Sequence, residues 1–208
     1  MVKPDWVSWD NIKQCLVDAH AINRSKGINM AHYQWSVEKI KESLGENGFF
    51  LVALDSERLV GTAALSEEKR PFWYVGKKCA YVCFDSVIPD YSGKGVFHDL
   101  DKEREEIARK NGYSTIVFDT HLDNKKRQLI ALKNGYEYVR FFMANNREHY
   151  SVVMAKWLEE CAFSSTFIKK KFLISKLLTK IQFNSNGKER GEKISQVSKI
   201  MRRKYLGY

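Results

Sequence analysis

The sequence predicts an α/β protein, a mixed sheet covered by helices and followed by a C-terminal helical extension. The order of its segments is the first ground. Strand-like and helix-like stretches alternate through the middle of the chain, and strands pair as hairpins at both edges. Charge is the second. The chain has 208 residues and a formal net charge of +10, with 35 Lys+Arg against 25 Asp+Glu. Residues 1–160 hold 23 of each sign, and residues 161–208 hold 12 basic and 2 acidic residues, so 12 − 2 = 10 places the whole excess in the last quarter. The expected organisation is a neutral body domain over 1–160 and a basic extension over 161–208.

Ser8 caps a first helix running to about Arg24, with Ile12, Leu16 and Ala19 on one face and Lys26-Gly27 as its stop. A second helix covers about Met30 to Leu44 and closes at Gly45. The period then changes from helical to alternating. FFLVALD (49–55) and RLVGTAAL (58–65) read as strands joined by Ser56 and Glu57, the length of a tight hairpin. Residues 66–78 form an aromatic-rich loop, a candidate rim for a binding site. CAYVCFDSVIP (79–89) is a buried strand. A helix follows from about Gly95 to Lys110, with Val96, Leu100, Ile107 and Ala108 inward and its charges outward. STIVFDT (114–120) is the next strand, DNKKRQLIALKN (123–134) a helix ended by Gly135, and 136–144 with 149–157 a closing strand pair.

The extension reads as two amphipathic helices, FIKKKFLISKLLTKI (167–181) and EKISQVSKIMRRKYL (192–206), joined by a polar turn. Their apolar faces suit packing on the body or on a second subunit as a homodimer. Their lysines suit an anionic membrane surface. Nucleic acid has nothing in its favour beyond charge. Cys15, Cys79, Cys83 and Cys161 lack CxxC spacing or a histidine pair, so the expectation is free thiols with no metal site and no disulfide framework. No run reaches the roughly 18 apolar residues that span a bilayer, and the first residues lack a signal-peptide core, which predicts a cytoplasmic protein, membrane-peripheral at most.

The junction IPDYSGKGVFHDL (88–100) places two glycines around a lysine between a strand and a helix, the arrangement of an anion-binding loop. It fails as a P-loop: Gly95 stands where Ser or Thr must hold a metal, and Ile88 where the first glycine belongs. As a dinucleotide fingerprint it meets His98 at the third glycine, although Asp119 ends the next strand at a tolerable distance. A third pattern fits better. Val87-Ile88-Pro89-Asp90-Tyr91-Ser92-Gly93-Lys94-Gly95 resembles the coenzyme A loop of the GCN5-related N-acetyltransferase (GNAT) family, V-x-P-x-Y-R-G-x-G-x-G/A. Asn124 with Gly135-Tyr136 eleven residues on resembles that family's N-x-x-A…G-[FY], and the likeness covers roughly residues 8–157.

The resemblance implies an acetyl-CoA-dependent N-acetyltransferase. Val87, Ser92, Gly93, Lys94, Gly95, Val96, Phe97 and Asn124 would bind the cofactor, and the strands 79–88 and 114–120 would splay to admit the pantetheine arm. The acceptor would be a primary amine of a small molecule, with an amino sugar suggested by family habit. A protein or peptide amine is the alternative within the class, and a non-catalytic acyl-CoA-binding module recruiting partners through its tail is the alternative outside it. Ser92 and Phe97 depart from the family pattern, and Phe97 is expected to face the core. Ala131 stands where many members carry a tyrosine acid, which leaves Tyr136, Tyr138 and His121 as substitutes. For the general base, Asp85, Asp119 and His121 are candidates. Each has a plain structural alternative: Asp119 or Asp123 as a helix cap, His121 as a loop residue, Asp85 paired with a lysine.

Overall fold

The computed structural model describes residues 7–25, 34–67, 78–143, 150–160 and 164–184. Its sheet has six strands in the order β1-β2-β3-β4-β6-β5. They are β1 Phe49–Asp55, β2 Arg58–Glu67, β3 Cys79–Val87, β4 Thr115–His121, β5 Glu137–Met143 and β6 Tyr150–Trp157. The helices are α1 Trp9–Ala19, α2 Ala21–Ser25, α3 Val37–Leu44, α4 Val96–Lys110, α5 Lys125–Lys133 and α6 Ser165–Asn184. β1 and β3 flank β2 antiparallel, and β3 meets β4 in parallel, so the sheet is mixed as its segment order predicts. The chain divides into two compact units, residues 1–118 with 155–162, and residues 119–154 with 163–208.

In the first unit, Ser8 caps α1 as expected, accepting from the Asn11 amide while Asn11 returns a bond to the Ser8 backbone. The expected single helix to Arg24 is instead two, broken at His20, whose side chain is buried. Ser56 takes a left-handed φ of 52° in the two-residue turn that closes the β1–β2 hairpin. One face of that sheet packs Val7, Ile12, Leu16, Ile40, Leu44, Ala64 and Phe84 beneath α1 and α3. The other packs Leu51, Ala63 and Leu100 beneath α4. The sequence places α4's charges outward, but Asp101 and Arg104 are buried. Their reason is a charged partner on β3, described below. Residues 68–77, which carry the aromatic stretch of the 66–78 loop, lie outside the described residues, as do Cys161 and the whole of the second tail helix.

In the second unit, α5 begins at Asn124, whose side chain accepts from the Arg127 amide. The cap is therefore neither Asp119 nor Asp123. Gln128 reaches back to the carbonyls of His121 and Leu122 and accepts from the Tyr138 hydroxyl, binding the start of α5 to β5. β5 ends the sheet, and α6 covers it. The Phe141 amide donates to Ser175 Oγ at 2.9 Å, and the Thr179 hydroxyl is shared between the Ser175 carbonyl at 2.8 Å and the Phe141 carbonyl at 3.2 Å. Two hydroxyls one helical turn apart thus satisfy the outward-facing backbone groups of one edge residue, blunting an edge that would otherwise invite strand pairing. Phe172 stacks on Tyr138 at 5.2 Å, and Ile168 is buried.

Gly61 on β2 sets how closely α4 approaches the sheet. A Cβ there would lie 3.0 Å from Val96 Cγ1, 3.1 Å from the Ser86 carbonyl oxygen and 3.2 Å from Leu100 Cδ1. Gly61→Val is expected to force α4 off the sheet and cost about 1–3 kcal/mol of unfolding free energy, measured by thermal or denaturant unfolding.

Candidate active site

The glycine loop is built by backbone conformation. β3 ends at Val87, a 3-10 turn spans Pro89–Tyr91, and Gly93 and Gly95 follow at φ 83° and 90°. Residues 92–95 are exposed, and a Cβ at either glycine would meet nothing within 4 Å, so these glycines serve conformation and open access rather than packing. Gly95 is the N-cap of α4 and supplies no side-chain bond to it. The caps of α1, α3 and α5 do, through Ser8, Ser36 and Asn124. The α4 N-terminus therefore offers first-turn amides and the positive end of a 15-residue helix to an outside anion.

Lys94 Nζ lies 4.6 Å from the Tyr91 ring centroid, and the Tyr91 hydroxyl donates to Asp55. Tyr91 thus ties the loop to the end of β1. In the first turn of α4, Val96 packs with Cys15, Val60 and Ile88 and with Leu51, Ala63 and Leu100. Phe97 is half-buried.

β3 carries the second feature. Its register with β2 slips between Thr62↔Ser86 and Ala64↔Cys83, which inserts one residue into β3, and Phe84 takes a left-handed φ of 54° there. A bulky residue at positive φ is strained and persists only where its surroundings hold it. Here the Thr62 hydroxyl donates to the Phe84 carbonyl at 2.7 Å. Because that proton is used, Ser86 Oγ donates to Thr62 Oγ1 at 2.5 Å, and the Cys15 thiol, 3.9 Å from Ser86 Oγ, is the donor at the head of the chain. Burial pushes the Cys15 thiol up to about 11 and the Cys83 thiol up to about 12, so both stay protonated and inert. The parallel register of β3 with β4 covers Cys79↔Thr115, Ala80↔Ile116 and Tyr81↔Val117, although β3 continues to Val87 and β4 to His121.

Asp85 follows the bulge. Its carboxylate bonds Arg104, not a lysine, and Arg104 also holds Asp101 on its own helix. The Arg104 side chain is wholly buried, and those of Asp85 and Asp101 are 15% and 7% exposed. This grouping was not foreseen because i, i+3 charges on a helix usually face water.

His20, also unforeseen, reaches the same place from α1. Its imidazole N–H donates to the Asp85 backbone carbonyl, and the residue is 6% exposed. Burial holds its pKa below the ordinary 6.5, with Arg24 pushing the same way and Asp85 opposing. No sequence signal marks it, because the break between α1 and α2 is visible only in the structure. A cleft of about 480 Å³ lies along α1, lined by Asn11, Gln14, Asp18, Glu57, Arg58 and Asp90, among others, and His20 is not one of its lining residues.

The remaining candidates belong to the second unit. His121 Nδ1 accepts from the Asp123 amide at 3.0 Å, which places the neutral ring's proton on Nε2. Asp119 is half-buried on β4. Tyr136 is 2% exposed and Ala131 fully buried at the close of α5, so the position of the absent tyrosine is packed shut. Among the described residues no group of three or more His, Cys, Asp or Glu side chains is placed to hold a metal ion.

Residues 9–136 match the acetyltransferase (GNAT) family, and the chain belongs to it. Acetyl-CoA is the acyl donor of that family. Solved structures agree on the fold. The ribosomal-protein-S18-alanine N-acetyltransferase from Escherichia coli superposes with a TM-score of 0.56 at 14% identity, covering 79% of this chain and 96% of that one. An aminoglycoside 6'-acetyltransferase type Ii gives 0.54 at 19% identity, over 74% and 96%. An aminoglycoside 6'-N-acetyltransferase complexed with coenzyme A gives 0.52 at 16% identity, over 71% and 91%. No curated protein matches the chain.

Replacing Arg104 by Met should cost about 3–5 kcal/mol, because it strands two buried carboxylates. Adding Asp85→Asn and Asp101→Asn should recover part of the loss in the same denaturant titration. His20 gives a pH signature of the opposite kind. Its folded pKa is depressed, so the unfolded chain binds more protons below about pH 6.5. Stability should be full above that value and fall as the pH drops toward the folded pKa, and His20→Gln should remove this part of the slope.

Proposed function

We propose that the protein transfers the acetyl group of acetyl-CoA to a primary amine of a small molecule. The observation that carries this is the open N-terminus of α4, with Gly93 and Gly95 left-handed in front of it and no side chain capping it. In this reading the amides of residues 93–97 bind the cofactor's pyrophosphate, Lys94 adds a mobile charge, and Val87 and Ser92 complete the contacts made by the first unit. Because the anion is held by backbone, Ser92 and Phe97 are tolerable departures from the family pattern.

Chemistry at β3 follows. The amine nitrogen attacks the thioester carbonyl and loses a proton, and the tetrahedral intermediate expels the coenzyme A thiolate, which takes up a proton. His20 serves as the base. Its imidazole N–H donates to the Asp85 carbonyl, and its lowered pKa keeps the ring uncharged at neutral pH. Asp85 acts through its backbone, because its carboxylate is committed to Arg104. Asp119, His121 and Tyr136 are left without a role in this scheme. The acceptor enters by the cleft between α1, the hairpin turn and residues 88–90, where Asp18, Glu57 and Asp90 outnumber Arg58 and favour a cationic amine.

Coenzyme A release with a panel of primary amines tests the reading, and absence of turnover above background with every amine, despite acetyl-CoA binding, would leave a non-catalytic binding module. Gly95→Glu should abolish acetyl-CoA binding in calorimetry, and Lys94→Ala should weaken it by about 1 kcal/mol. His20→Gln should keep cofactor affinity but lower kcat/KM by about a hundredfold or more and erase its acidic limb.

A further inference from the structure

α6 has two faces with different tasks. Ile168, Phe172, Ser175 and Thr179 recur every three or four residues and dock on β5 through the bonds described above. Among the described residues, the opposite face exposes apolar side chains. Leu173 and Leu177 are 60% exposed and Ile174 is 37% exposed, on successive turns. Around them Lys169, Lys170 and Lys180 are also exposed. The helix contains five lysines and no acidic residue.

We propose that this face lies on an anionic phospholipid surface, with Leu173, Ile174 and Leu177 entering the headgroup boundary and the lysines meeting lipid phosphates. Fold stability gives no reason for the leucines, since α6 is already held through its other face. Charge decides the occupant. A second copy of the helix would bring five lysines against five with no carboxylate to offset them. A bilayer bearing anionic lipid offers what the face lacks, negative charge spread evenly around a shallow apolar layer. The net charge of residues 161–208 adds to the same attraction. Among the described residues no helix is long and apolar enough to cross a membrane, and the geometry is that of a helix lying in the interface plane.

Cosedimentation of the full chain with phosphatidylserine-containing vesicles tests this against pure phosphatidylcholine vesicles. Binding should require phosphatidylserine and weaken as salt rises. Leu173→Ser with Leu177→Ser should lower the partition coefficient about tenfold or more. Lys169→Gln, Lys170→Gln and Lys180→Gln together should lower it on the order of a hundredfold. Both variants should keep the parent melting temperature, because all five positions face solvent. Failure of the parent chain to bind, equal binding to neutral vesicles, or full binding by both variants would overturn the proposal. So would a concentration-dependent dimer that the Leu173→Ser, Leu177→Ser variant abolishes, since the face would then belong to a second copy.

Discussion

Arg104 is the charge on which the arrangement of the first unit depends. Its guanidinium joins Asp101 on its own helix to Asp85 on β3, with no exposed surface of its own. A cation buried this deeply is tolerable only with carboxylates on it, and neither carboxylate is tolerable there without the cation. The three charges therefore fix one distance, between α4 and the strand residue that follows the bulge. That distance governs both halves of the candidate site. The loop before α4 is held at one end by the end of β3 and at the other by a helix that cannot slide. Gly61 permits the close approach that the ion pair needs.

The second constraint is backbone conformation placed where side chains would fail. Gly93 and Gly95 turn the chain so that the first amides of α4 face outward, and Phe84 is forced into a left-handed conformation that its neighbours must hold. The Cys15, Ser86 and Thr62 chain of donors ends on the Phe84 carbonyl, and the His20 imidazole ends on the next one, that of Asp85. Two consecutive carbonyls of a bulged strand are thus bound from α1 and β2. Strain and its restraint sit together at the point where acyl transfer is proposed to occur.

In the second unit, α6 resolves an edge-strand problem and creates a surface in the same twenty residues. Ser175 and Thr179 are weak helix formers, yet they stand where β5 has a backbone donor and acceptor turned outward. The helix can then spare its other face for leucine and lysine.

Local chemistry made much of this legible in the sequence. Every strand, the hairpin turn, the glycine loop, α4 and α5 follow from apolar period, from capping residues and from the few conformations glycine permits, because those signals act between near neighbours. The loop was readable because its backbone conformation needs glycine at fixed positions. Pairings between distant residues were not readable. Nothing in the spacing of Asp101 and Arg104 says that they turn inward, because the reason is Asp85, nineteen residues before Arg104. Nothing around His20 says that the helix breaks there, because its partner is a carbonyl on β3. Nothing in the spacing of α4 says that Val96 meets Gly61, because Gly61 lies on β2, far away in the sequence. Composition and period determined the elements. Only the tertiary structure decided which buried charges meet, since burial changes the cost of a charge by more than any local preference can.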